Sequence, residues 1–172
     1  MTLPGRNNFT LNPAFALRDL YRLFLVFAGD ERIFDLAPGR QDPLRLMRST
    51  LFADELTHLL VSTAVANRVQ LDHMSVLRAD PAWPGHKPVD IVCGSLCQDA
   101  ASAATSVELT FREACNKIIH AMHIVPDCSD PSDNPLSSEV KLRGQLGKNA
   151  WYALLSIPQY VRASVLNFRE EP

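Results

Sequence analysis

No stretch of the 172-residue chain stays apolar for the roughly 18 residues that a membrane-spanning helix needs. The best candidate, Leu20 to Gly29, is short and contains Arg22, so it reads as a buried helix. The opening segment, MTLPGRNNFTLNP, lacks the apolar centre of a secretory signal. These absences give the expectation of a cytoplasmic protein with no membrane contact. Positive charge is not in excess either: 17 Lys and Arg stand against 19 Asp and Glu, a formal net charge of -2. Without a global basic field the chain is not a dedicated nucleic-acid binder, and any RNA contact would rest on a local patch.

Cysteine is sparse, with Cys93, Cys97, Cys115 and Cys128 only. Without a secretory signal these are expected to be free thiols. Cys93 and Cys97 have no second pair at zinc-like spacing, and His120 and His123 alone are too few ligands, so no metal is expected. Glycine is also scarce, at 7 residues, and no Gly-rich loop cradles a phosphate, which leaves nucleotide binding without support and no cofactor expected. Repeats, low-complexity tracts and interdomain linkers are missing. Residues 1–172 are therefore read as one domain, and the 47% apolar content provides material for one core.

What is present is mostly helical patterning. Pro13 opens a first helix that Gly29 closes, with Leu17, Leu20, Leu23, Phe24 and Phe27 at helical spacing and Arg18 and Arg22 on the other side. Residues 30–42 read as a loop. A long helical stretch follows from about Pro43 to Leu77, with Leu56, Leu59, Leu60, Thr63 and Val65 as its apolar stripe. The prolines of residues 79–90 exclude a helix there. IVCGSLC is open between strand and helix, and a third helix is expected over about Ser106 to Ile124. DCSDPSDNPLSS reads as a surface loop. EVKLRG and AWYALLSI around QLGKN form the pattern of a β-hairpin, with Val140, Leu142, Trp151, Ala153 and Leu155 turned inward. Pro158 opens a closing helix. The expected architecture is mainly α: a helical bundle with a C-terminal β-hairpin and closing helix.

The segment TFREACNKIIHAMHIV carries the strongest sign of chemistry. On a continuous helix, with Arg112 at zero, Asn116 falls at about 40°, His120 at about 80° and His123 at about 20°. Phe111, Cys115, Ile118, Ile119 and Met122 fall on the opposite side, as a core stripe should. A ridge of Arg112, Asn116 and His120 suits metal-independent RNA cleavage. The histidine moves a proton, the arginine offers a planar fork to phosphate, and the asparagine orients either one. A lone histidine is half of an acid/base pair, so a homodimer that presents two ridges across a two-fold axis, through this third helix, is expected. Lys117, Arg143 and Lys148 are further candidates for RNA contact, and Glu55, His58 and His73 lie on the long helix where a bundle could turn them toward the ridge. Trp83 and Trp151 read as packing residues rather than base-stacking platforms.

REACNKIIHA resembles the signature helix of the HEPN superfamily, especially bacterial members with NKIIHA-type segments, and GKNAWYALLSI with the closing helix is similar in outline. The resemblance spans about residues 50–168, with only the one helix specific. It implies a helical, dimeric, metal-independent endoribonuclease of a toxin or phage-defence system, with His120, Arg112 and Asn116 as its catalytic residues and RNA as substrate. In this chain seven residues separate Arg112 from His120, more than in that family's motif. HEPN domains without the motif serve as non-catalytic dimerisation or partner-binding modules, and that is the alternative expectation.

Overall fold

The computed structural model describes residues 11–37, 39–78, 89–99, 106–126 and 137–169. Three N-terminal helices come first: α1 (Pro13–Ala28), α2 (Asp30–Leu36) and α3 (Pro43–Arg78). Then follow β1 (Val92–Cys97), β2 (Ser106–Thr110), α4 (Phe111–Ile119), β3 (His123–Pro126), β4 (Glu139–Leu146), β5 (Asn149–Ser156) and α5 (Ile157–Phe168). The strands form one antiparallel sheet in the order β2-β1-β5-β4-β3. The expected helical bundle is therefore corrected: the chain is an α+β protein, and the hairpin is two strands of five. Trp83, Cys128 and most of the two expected loops, over 79–90 and 127–138, lie outside the described residues. Among the described residues no helix is long and apolar enough to cross a membrane.

The largest correction is the single helix expected over 106–124. Its helical part is only α4, and strands flank it on both sides. Local chemistry gives the reason. SVELT carries the β-branched Val107 and Thr110 and runs extended beside β1. Thr110 then caps α4, its hydroxyl accepting from the Glu113 amide at 3.4 Å. The threonine followed three residues later by a glutamate is a capping-box sequence, which places the helix start at Thr110 and no earlier. At the other end His120 leaves the helical conformation, and the Met122 amide donates to the Arg143 carbonyl at 2.8 Å. That bond hands the chain to the sheet as β3.

A second correction concerns residues 30–42. Asp30 and Glu31 sit in the first turn of α2, where carboxylates meet the positive end of the helix dipole. Tertiary contact fixes this short helix. The buried Arg48 guanidinium donates from Nε to Asp30 Oδ1 at 2.5 Å and from Nη2 to Oδ2 at 3.0 Å, with the Phe34 and Phe52 rings beside it. Removing one partner of such a pair leaves a buried charge unmatched, which costs about 3–5 kcal/mol.

The other elements form where the pattern places them. Asn12 caps α1, accepting from the Ala14 amide at 3.0 Å, and Pro13 occupies its first turn. The 36-residue α3 is about 54 Å long at 1.5 Å per residue. In β1 the register slips between Val92 and Ser95, with Gly94 at φ 149. A Cβ there would lie 1.9 Å from the Leu154 carbonyl oxygen, so only glycine lets β1 and β5 approach. All five expected inward residues of the hairpin are buried, and with Leu96, Leu109 and Phe111 they meet the helices in one core. Among the stripe residues expected on α1 and α3, however, Leu17, Phe24 and Val65 are exposed.

A buried polar ladder joins α3 to α5 inside this core. The Tyr160 and Thr63 hydroxyls lie 3.1 Å apart, Asn67 Nδ2 donates to Ser164 Oγ at 2.9 Å, and Asn167 Nδ2 donates to Asn67 Oδ1 at 3.1 Å. Burial pushes the Tyr160 hydroxyl far above its ordinary titration range, so it stays neutral and hydrogen-bonded. Asn67→Ala would remove the donor to Ser164 and the side-chain acceptor of Asn167 at once, leaving Ser164 only its bond to the Tyr160 carbonyl and Asn167 only its bond to the backbone carbonyl of residue 67. We expect it to destabilise the fold by about 2–4 kcal/mol, a fall in Tm of roughly 5–15 °C, measured by calorimetry or circular dichroism; an unchanged Tm would show that the ladder is not formed in solution.

Candidate functional site

The ridge expected on one helix is divided among three places. Arg112 lies in the first turn of α4, where its Nη1 donates to Asp72 Oδ1 of α3 at 2.9 Å. Arg68 donates to the other Asp72 oxygen at 3.3 Å, so one carboxylate ties two arginines across the α3–α4 contact. Asn116 sits one turn on and donates to Glu113 Oε1 at 3.2 Å. His120 ends the helix and is exposed, and His123 is on β3. Eight residues of α-helical rise put Arg112 about 12 Å from His120 along the axis, and the Arg112 guanidinium is drawn toward Asp72 of α3. Glu55 pairs with Arg22 of α1, while His58 and His73 are exposed.

What the fold does gather is a row of side chains on the last three strands, beside the turn that follows α4. Residues directly opposite on neighbouring antiparallel strands share a face. His123 pairs with Arg143, and Arg143 pairs with Tyr152, so these three stand in one row on the sheet face turned away from the buried row of Leu142 and Ala153. Lys141 follows two residues along on the same face. Together with Met122, Gly144, Gln145, Ala150 and Trp151 they line a cleft of about 660 Å³. No carboxylate belongs to the described residues of that lining. Arg143 and His123 are exposed, and Tyr152 is half-buried.

Trp151 also borders the cleft, but its indole, only 3% exposed, belongs to the inward face of the hairpin, opposite the row of His123, Arg143 and Tyr152. Opposite Trp151 in the ladder stands Gly144, and a Cβ at that position would fall 2.2 Å from the ring and 2.9 Å from the His120 carbonyl oxygen. The bare glycine backbone thus admits the indole and holds the His120 corner against β4. The Lys117 ammonium sits 4.6 Å from the ring centroid, a cation over an aromatic face. Of the residues read from the sequence as RNA candidates, Arg143 lines the cleft with His123, Lys117 lies over the indole on the inward side, and Lys148 lies at the exposed hairpin turn. Lys141, Gln145 and Tyr152 were not anticipated. The signal that places them is the alternation of the hairpin, since they fall on the face opposite its inward set.

The cysteines take no part in this corner. Cys93, Cys97 and Cys115 are free and buried. Burial pushes the Cys93 thiol up to about 12. Burial does the same for Cys115, also about 12; the Cys93 thiol adds to the rise and the Arg68 and Arg112 charges oppose it. Among the described residues no three His, Cys, Asp or Glu side chains gather as a metal site.

Two outcomes follow. Trp151→Ala should cost about 3–5 kcal/mol, as for a buried aromatic truncation, and Gly144→Ala about 1–3 kcal/mol through overpacking; chemical denaturation measures both, and a neutral Gly144→Ala would show that the indole does not rest on that backbone. In the native protein Cys93 and Cys115 should resist iodoacetamide near pH 8, with a thiolate fraction roughly a thousandfold below that of an ordinary thiol. Peptide mass mapping would show their labelling only on unfolding, and rapid native labelling of Cys115 would contradict its burial.

Compared with known protein families, curated proteins and solved structures, the chain finds no match.

Proposed function

We propose that the domain binds single-stranded RNA in the cleft of β3, β4 and β5 and cleaves it without a metal ion. The observation that carries this reading is the composition of the cleft: in a chain of net charge -2, the lining joins His123, Lys141 and Arg143 to an aromatic side chain, Tyr152, with no carboxylate among its described residues. Single-stranded nucleic acids are held by this pairing of basic groups, which track the phosphates, with aromatic faces on which bases stack.

The sequence reading keeps its histidine in this proposal and exchanges its arginine. Arg143, next in register to His123, offers the planar fork to a phosphate; Arg112, tied to Asp72 and about 12 Å away along α4, supports the helix instead. Asn116, bonded to Glu113, steadies the turn before His120. His123 of β3 stands in the cleft row and His120 ends α4 three residues before it, and these two are the acid/base pair of the proposal. One imidazole removes the proton from a 2′-hydroxyl, whose oxygen forms the new bond to phosphorus. The other, protonated, gives its proton to the departing 5′-oxygen as that P–O bond breaks. The products are a 2′,3′-cyclic phosphate and a 5′-hydroxyl, and the protons balance.

A non-catalytic dimerisation module is the second reading, and one separate observation favours it: the exposed apolar surface of α1, taken up below.

The experiment uses the full chain, a fluorescent single-stranded RNA and a chelator. Binding should weaken as salt rises. Arg143→Ala should weaken it about 10- to 100-fold, the range for a lost charge-assisted contact. His120→Ala and His123→Ala should each slow cleavage at least ~10²-fold with binding retained, and Arg112→Ala should change cleavage little. Binding untouched by Arg143→Ala overturns the cleft; binding without cleavage removes the catalytic half of the proposal.

A further inference from the structure

The first helix is apolar on more sides than its own fold covers. Ala16, Leu20 and Leu23 turn into the core. Leu17, Tyr21, Phe24 and Leu25 make a second stripe on the far side, at the spacing of one helical face. Tyr21 is 63% exposed, and Phe24 and Leu25 are 43% and 45% exposed. A helix that is apolar all round belongs in an interior, covered on both sides. The nearby charges are engaged within the chain, since Arg22 pairs with Asp19 and with Glu55 of α3.

Next to this stripe a groove of about 250 Å³ opens between α1, α2 and α3, walled by Leu25, Ile33, Met47, Leu51 and Phe52. The surface is therefore a ridge with two aromatic rings, set beside a hole of the same apolar character. A two-fold contact requires that arrangement, because a patch meets itself and each copy's ridge must find the other's hole. Contact with an unrelated protein requires no such pairing. Size points the same way. Tyr21, Phe24, Leu25, Leu44, Met47 and Leu51, each 40% to 63% exposed, offer on the order of 600 Å² of apolar surface. That is at the top of the range a monomer leaves open and, with its polar rim, near the roughly 800 Å² per partner of a stable interface.

We propose that two copies of this chain associate through α1 and the N-terminal half of α3, with Tyr21 and Phe24 of each copy seated in the groove of the other. This contact differs from the one through residues 106–124 expected from the sequence, which turns Arg112, Asn116 and His120 toward the partner and keeps Phe111, Cys115 and Ile118 in the chain's own core. The face shares no residue with the RNA cleft, so either proposal can fail without the other.

In analytical ultracentrifugation the full chain should sediment as a dimer and dissociate on dilution with a Kd of about 1 μM, the scale of an interface of this size. Tyr21→Glu and Leu51→Glu should each raise that Kd at least ~100-fold by placing a charge in the contact, with circular dichroism and Tm as in the wild type. Leu146→Glu, at the exposed end of β4, should leave the dimer intact. If a glutamate variant does not fold, Tyr21→Ser is measured in its place and should weaken the dimer about 10-fold. A wild-type chain that stays monomeric at every concentration overturns the proposal, as does a dimer that survives the Tyr21 and Leu51 substitutions or is broken by the one at Leu146.

Discussion

The hydrogen-bond ladder between α3 and α5 is the interaction on which the rest of this structure depends. Apolar packing alone is non-directional and lets a helix slide or turn on its neighbour. Thr63 and Asn67 on one side, and Tyr160, Ser164 and Asn167 on the other, remove that freedom, because each buried polar group finds its partner in one register. β5 runs without a loop into α5, and the Ile157 amide is held by the Ser138 carbonyl at the start of the β4 segment. Fixing α5 therefore fixes the central strand of the sheet, and through it β1 and β4 on either side.

How far the sequence revealed this fold depended on whether the deciding forces were local. The first and last helices, the long α3 and the hairpin were legible because each is announced by its own proline, glycine or periodicity. The short α2 was not, since its stability lies in the Asp30–Arg48 pair, contributed by residues 18 positions apart. The segment around α4 misled for a different reason. An arc of polar residues at 100° intervals implies a ridge only if the helix continues, and it stops at Ile119. The Thr110 and Glu113 pair marked where it begins. The candidate site was half visible: His123 and Arg143 could be named, but only the strand register brings His123, Arg143 and Tyr152 into one row.

Charge in this protein is sorted by place rather than by total. Asp19, Asp30, Glu55 and Asp72 meet arginines within or between the N-terminal helices and α4. The end of the sheet holds His123, Lys141 and Arg143 around a cleft without such acids among its described lining. A net charge of -2 therefore conceals a local positive field, which is the level at which a phosphate is attracted.

Trp151 belongs to the core and to the cleft at once, with Gly144 beneath it, Lys117 over its face and the core residues Leu142 and Ala153 on the same face of the sheet. A lining residue rooted in this way cannot move without loosening the packing that holds the domain together. The cleft is accordingly preorganised. A ligand that fitted it would lose little to reordering of the protein on arrival. The same property makes the cleft slow to change by mutation, because any larger residue at position 144 or smaller one at position 151 alters the recognition surface and the stability of the fold together.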